Sequence, residues 1–234
     1  MKQRLIFIPA LMCDFRLYNH QISALNKYFD IDVICFNNVD NINNAVEYLF
    51  NKLFIYNKNK IILAGMSMGG YIAMSFVAKY PNQVEKLCLL NTTYVEDSLE
   101  KKNIRLSQIA EAKQVSDDNF IGINNNIIDS YIYNKNQDNK DLIVSMVKSL
   151  GRQSFINQQH LILSKPSYEN TLIDLKIPTL IIGGMEDLIT KVDVQIKMHT
   201  LCKTSKLALI DKCGHLSTLD QPQQINNELL NWLI

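Results

Sequence analysis

The sequence predicts an α/β fold: a mostly parallel sheet of about six strands flanked by helices and interrupted by a helical insertion. Three observations carry this. Short apolar runs alternate with longer stretches of helical apolar spacing, the rhythm of strand–helix–strand crossovers. One run, Ile61 to Ala64, leads into a glycine-flanked serine and then a second apolar stretch, which reads as strand, sharp turn and helix. The rhythm stops after Thr92 and resumes only near Leu172.

Taken in order, RLIFI (4–8) is a compact apolar run closed by Pro9, as a strand buried on both faces requires, and PALMCD is the loop at its end. Apolar residues at Phe15, Leu17, Ile22, Leu25 and Phe29 predict a helix from Phe15 to Phe29, followed by the strand IDVICF (31–36). A second amphipathic helix runs from Ile42 to Ile55, with Val46, Leu49, Phe50, Leu53 and Phe54 on its face. After the serine turn, YIAMSFVAKY predicts a buried helix ending before Pro81, and KLCLLN (86–91) is the next strand. The span that follows is rich in Asn, Asp, Lys and Gln, with helix-like pieces at Ser98–Ala112, Asp117–Ile128, Lys140–Leu150 and Arg152–Ser164. It is too long to be a structureless loop, so residues 94–171 form a helical insertion in a core made of 1–93 and 172–234. The strands then resume with PTLIIGG (178–184) and KLALID (206–211), separated by a helix near Lys191–Leu201 and closed by one from Pro222 to Leu233.

Composition removes several classes of function. With 24 Lys+Arg against 23 Asp+Glu and no basic run, the chain is not built for nucleic acid. No apolar stretch is long enough for stable membrane insertion. Five cysteines at irregular spacing, with no C-x-x-C pair, read as free thiols in a reducing, cytoplasmic compartment. MKQRLIFIPALMC mimics a lipoprotein signal, but Pro9 interrupts its apolar run and Met12 stands where a small residue should precede Cys13. No group of His, Cys and carboxylate has metal-ligand spacing, and no cofactor is implied.

The chemistry centres on Gly65-Met66-Ser67-Met68-Gly69, a G-x-S-x-G match. A serine at a tight strand-to-helix turn needs neighbours without a Cβ on either side, and it exposes its hydroxyl at a helix N-terminus, where an oxyanion is favoured. Ser67 is therefore the candidate nucleophile, and it needs a base oriented by a third group. Of histidines 20, 160, 199 and 215, only His215 lies in a loop directly after a strand, DKCGHLSTLD, at the sheet end where α/β sites collect. Asp187, after PTLIIGGME, is the candidate acid, with Glu186 its rival and Asp193 more in keeping with a helix.

The order Ser67, Asp187, His215, with the PALMCD loop, the GMSMGG turn, PTLIIGGMEDLIT and CGHLSTLDQP, resembles the α/β-hydrolases over nearly the whole chain, and among them the compact esterase and lactonase-like branch. The resemblance implies an α/β-hydrolase fold whose sheet starts at the family's third strand, with the insertion acting as a lid. By carry-over, the amides of Met68 and Leu11 form the oxyanion hole, although Ala10 replaces the usual glycine of that loop. Serine at the turn, where related dehalogenases and epoxide hydrolases carry aspartate, points away from those activities.

The implied function is cleavage of a short- to medium-chain carboxylic ester, thioester or lactone through an acyl-serine, with a small-molecule acyl substrate as partner. Carbon–carbon hydrolysis or a lyase step on a ketone or enol substrate, or ligand binding without turnover, stay open. Met12, Met66 and Leu216 are candidates for the wall around the serine, and Phe120, Tyr131, Tyr133, Met146 and Phe155 for the lid's contribution. Arg152, in GRQSFINQQ, is a candidate to meet a substrate carboxylate. Oligomeric state is not encoded legibly.

Overall fold

Consecutive apolar residues are what a strand covered on both faces requires, and all six runs join one sheet. The computed structural model describes residues 2–54, 59–123 and 125–234. Its strands are β1 (Gln3–Ile8), β2 (Phe29–Val33), β3 (Ile61–Met66), β4 (Val84–Leu90), β5 (Thr179–Gly184) and β6 (Ser205–Ile210). They lie in the order β2-β1-β3-β4-β5-β6, and every neighbouring pair is parallel. The helices are α1 (Asn19–Leu25), α2 (Ile42–Phe54), α3 (Met68–Lys79), α4 (Leu99–Gln114), α5 (Asn125–Tyr131), α6 (Gln137–Leu163), α7 (Glu169–Asp174), α8 (Val192–Leu201), α9 (Ser217–Asp220) and α10 (Pro222–Leu233).

The period of two along each strand sorts the core into two layers. Leu5, Phe7, Ile62, Ala64, Cys88, Leu90 and Ile182 face the layer that includes Leu25 of α1 and Leu229 of α10. Ile6, Ile8, Leu63, Leu87, Leu89 and Ile181 face the layer with Leu49 of α2, Phe76 of α3 and Met198 of α8. Each such buried side chain contributes ~1.5–3 kcal/mol, so the central strands anchor the molecule and hold their C-terminal ends fixed.

Three parts of the chain differ from the sequence reading. The helix predicted from Phe15 to Phe29 is a 3-10 turn (Phe15–Tyr18) followed by α1, and Phe29 already opens β2. As an edge strand, β2 alternates buried or half-buried Phe29, Ile31 and Val33 with exposed Asp30 and Asp32, so its signal merges with the helix before it and it ends before Cys35 and Phe36. The pieces Lys140–Leu150 and Arg152–Ser164 belong to one run, α6, kinked where Gly151 takes φ 74°. The piece Asp117–Ile128 is a 3-10 turn (Asp117–Asn119) and α5; residue 124 between them lies outside the described residues, as do Ile55 and the side chain of Phe54 at the end of α2. Between β4 and β5 the described residues hold α4 to α7 and no strand. Among the described residues no helix is long and apolar enough to cross a membrane.

Candidate active site

The loops leaving the C-terminal ends of β3, β4, β5 and β6 converge on Ser67. This residue sits between β3 and α3 with φ 52° and ψ −113°, a conformation costing on the order of 1–3 kcal/mol that the surroundings must hold in place. They do so by close approach. A Cβ on Gly65 would stand 2.3 Å from the Gly69 carbonyl oxygen, and one on Gly69 would stand 2.1 Å from that of Ile8 in β1. Ser67 N–H donates to the Leu90 carbonyl (3.0 Å), and the Thr92 hydroxyl donates to the Ser67 carbonyl (2.8 Å), so the turn is tied to β4 as well.

His215 Nε2 lies 2.9 Å from Ser67 Oγ, and His215 Nδ1 lies 2.9 Å from Asp187 Oδ2. Three residues far apart in sequence thus form one hydrogen-bonded line. The Asp187 carboxylate also accepts from the amides of Ile189 (2.8 Å) and Thr190 (2.9 Å), the Thr190 hydroxyl (2.6 Å) and the Asn91 side-chain amide (2.9 Å). Burial alone would raise its pKa, but the charge and hydrogen bond of His215, with those of Thr190 and Asn91, outweigh burial and lower it to about 2. Asp187 therefore stays ionised where it can orient the imidazole. Glu186 instead accepts from the Cys213 amide (2.7 Å). Of the other histidines, His20 and His199 are exposed and His160 is half-buried on α6.

The insertion clasps the histidine loop. Asp220 accepts from Gly214 N–H (2.7 Å), Tyr133 N–H (2.7 Å) and Asn134 N–H (3.1 Å), and Leu216 N–H donates to the Tyr131 carbonyl (2.8 Å). The Tyr131 ring lies 5.7 Å from the imidazole. Ser67 and His215 are only 8% and 3% exposed, so their chemistry is sheltered from bulk water.

The amides of Leu11 and Met68 donate to no acceptor among the described residues, whereas Met12 N–H is engaged by Gln158 Oε1 at 2.8 Å. Beside the serine lies a cavity of about 610 Å³ whose wall includes Leu11, Tyr71, Tyr131, Thr190 and Phe155. A neighbouring cavity of about 310 Å³ shares Phe155 and adds Phe120. A larger cleft of about 1000 Å³ borders Gln3, Arg4 and Phe29, at the opposite ends of the strands, far from this chemistry.

Several candidates lie elsewhere. Met12, Met66, Met146 and Leu216 are fully buried in the core layer and do not line either cavity. Tyr133 is half-exposed. Arg152 is paired with Asp117 at 2.7 Å on the surface, while a different arginine, Arg105 of α4, lines the cavity.

Other site residues carried weaker signals. Asn91 follows β4 directly and holds φ 42°, which Asn tolerates better than most residues. Tyr71 stands one helical turn beyond Ser67, on the same face. Burial pushes its hydroxyl up to about 12, against the pull of Arg105 and of its contact with Ser67.

A family model described as alpha/beta hydrolase fold matches residues 20–222. A 2-hydroxy-6-oxononadienedioate/2-hydroxy-6-oxononatrienedioate hydrolase of Burkholderia vietnamiensis is 24% identical over 181 residues, 73% of this chain and 61% of that protein. One from a Pseudomonas species is 25% identical over 198 residues, 81% of this chain and 67% of that protein. The match thus spans about two thirds or less of these relatives' length. Among solved structures, a thermophilic esterase from Thermogutta terrifontis superposes with a TM-score of 0.87 at 23% identity, covering 100% of this chain and 90% of that one.

Proposed function

The chain belongs to the α/β-hydrolase fold family, and we propose that it is a serine hydrolase that cleaves a short- to medium-chain carboxylic ester, thioester or lactone. The observation that supports this best is the line from Ser67 Oγ through His215 to Asp187, with 2.9 Å at both contacts of the imidazole. In the proposed mechanism His215 Nε2 takes the Ser67 proton as Oγ attacks the acyl carbonyl, and Asp187 stabilises the imidazolium. The amides of Met68 and Leu11, free of protein acceptors among the described residues, receive the tetrahedral oxyanion. Collapse expels the alcohol or thiol, which takes the proton from His215 (a lactone's alcohol stays attached to the acyl chain), and leaves an acyl-serine. Water, deprotonated by His215, then releases the acid and restores Ser67. Residues 94–171 act as a lid over the core of 1–93 and 172–234. The five cysteines, none of them in a disulfide, fit a reducing cytoplasmic compartment.

A second reading is hydrolytic carbon–carbon cleavage of a ketone conjugated to an enol, favoured by the names of the curated relatives. One experiment separates the two. p-Nitrophenyl esters from acetyl to dodecanoyl are assayed with the wild type and with Ser67→Ala. Saturable hydrolysis with a chain-length optimum, lost in the variant, is the expected result. Equal inertness of both proteins would overturn the ester reading, and loss of a dienol chromophore on a 2-hydroxy-6-oxo-dienoate would then support the second.

A further inference from the structure

The cavity beside Ser67 carries charge that acyl transfer does not use. Arg105, 21% exposed, donates from Nε to Asp97 Oδ2 at 2.6 Å and from one terminal nitrogen to Gln159 Oε1 at 2.8 Å. Its other terminal nitrogen has no acceptor among the described residues. Lys165, its side chain wholly buried, reaches the same Asp97 carboxylate at 3.0 Å and the Val95 carbonyl at 2.5 Å, with its ammonium 4.9 Å from the centre of the Tyr71 ring. Two cations therefore share one carboxylate.

The other charged groups do not restore the balance. Asp187 is already committed to His215, Glu96 is paired with Lys102, and the remaining charged residues of the wall, Lys101, Lys191 and Asp193, are exposed, which leaves Arg105 and Lys165 with the single charge of Asp97 between them. Unbalanced cations out of water are costly and are relieved by a counter-ion.

The neighbouring amides are oriented to help. Gln159 Oε1 accepts from Arg105, and its amide nitrogen donates to Gln108 Oε1 at 2.9 Å. That fixes the orientation of Gln108, which leaves its NH₂ as a donor on the same cavity wall, one helical turn from Arg105. Arg105, Gln108 and Gln159 line the same cavity as Thr190, whose hydroxyl lies 3.5 Å from His215 Nδ1, and Tyr131, whose ring lies 5.7 Å from the imidazole.

We propose that Arg105 and Gln108 form a carboxylate-binding subsite, and that the enzyme prefers an acyl substrate with a carboxylate a few bonds from the carbonyl Ser67 attacks. This rests on the serine-hydrolase reading and names its substrate class: half-esters, half-thioesters or related derivatives of short dicarboxylic acids.

The test compares p-nitrophenyl half-esters of succinate, glutarate and adipate with neutral p-nitrophenyl esters of the same chain length. It uses wild type, Arg105→Met and Gln108→Leu. Arg105→Met leaves Asp97 paired with Lys165, so the cluster becomes neutral rather than broken. A hydrogen bond to a charged group is worth ~1.5–3 kcal/mol, so the half-ester kcat/KM should fall roughly tenfold to a hundredfold in Arg105→Met and less in Gln108→Leu. The ratio of the two substrates within one variant cancels any loss of folded enzyme. An unchanged ratio in Arg105→Met, or a wild type that prefers the neutral ester, would overturn the proposal. If the wild type hydrolyses neither class, the serine-hydrolase reading fails by itself. Calorimetric binding of free glutarate to wild type and Arg105→Met then decides the subsite: binding lost in the variant supports it, and no binding to either overturns it.

Discussion

Asp187 is where the site concentrates its cost. A carboxylate 4% exposed is tolerable only because five donors surround it: two amides, the Thr190 hydroxyl, the Asn91 amide and the imidazole. Asparagine would place an NH₂ against one of those donors and favour the wrong imidazole tautomer. On the proposed mechanism, Asp187→Asn should therefore lower kcat by ~10⁴-fold, the size of the same change in a serine protease, with KM moving far less. The carboxylate also links stability to pH. Its folded-state pKa of about 2 lies below the ordinary 3.8, so the stability it contributes is present above pH 4 and is lost as pH falls through 2. That contribution is ~2 kcal/mol. Urea midpoints measured at pH 5 and pH 3 should fall further for wild type than for Asp187→Asn; parallel falls would show that the carboxylate is not held ionised.

At the scale of elements, β3, the Ser67 turn and α3 work as one piece, because the approach of α3 to β1 leaves no room for a methyl group at Gly69. Gly69→Ala should destabilise the protein by ~1–3 kcal/mol and reduce kcat, since relief of the clash with Ile8 must move α3 and the Met68 amide with it. A thermal midpoint and activity both unchanged would mean that the turn is not as tightly held as the contacts imply. The same closeness explains why this part of the chain was legible in the sequence: packing without a Cβ can be met only by glycine, so it leaves a fixed spacing. His215 and Asp187 were legible because each follows an apolar run by a few residues. Arg105 was not, because a charged residue on a polar helix reads as solvent-facing until tertiary structure supplies Asp97 and Gln159. Nor was the start of β2, whose edge position halves its apolar signal, or the continuity of α6 through Gly151, where a single glycine reads as a break.

On the scale of the whole molecule, the parallel sheet delivers four loop ends to one place, and residues between β4 and β5 pack against them. The 610 Å³ cavity therefore belongs to neither part alone. Leu11, Tyr71 and Thr190 come from the core; Arg105, Tyr131 and Phe155 come from the insertion. Phe155 is one of four residues, with Gln108, Gly122 and Ile127, that line both the 610 Å³ and the 310 Å³ cavities; it is 4% exposed and packs against Phe120 at 5.4 Å between ring centres. If the first cavity holds the acyl group, Phe155 is the bulkiest side chain between it and the second, whose wall includes Ala112, Val115 and Ile121, and removing the ring opens space toward them. Phe155→Ala should then move the optimum of the p-nitrophenyl ester series toward longer chains. Each methylene that gains a dry wall is worth ~0.8 kcal/mol, about fourfold in kcat/KM. The substitution also removes core packing worth ~3–5 kcal/mol, so the series is read as ratios between chain lengths within the variant, at a temperature where its circular dichroism is native. An optimum that stays at the wild-type length, in a variant that is folded, would place the acyl chain on the Tyr71 and Thr190 side of the cavity, with Phe155 serving only to pack α6 against α4.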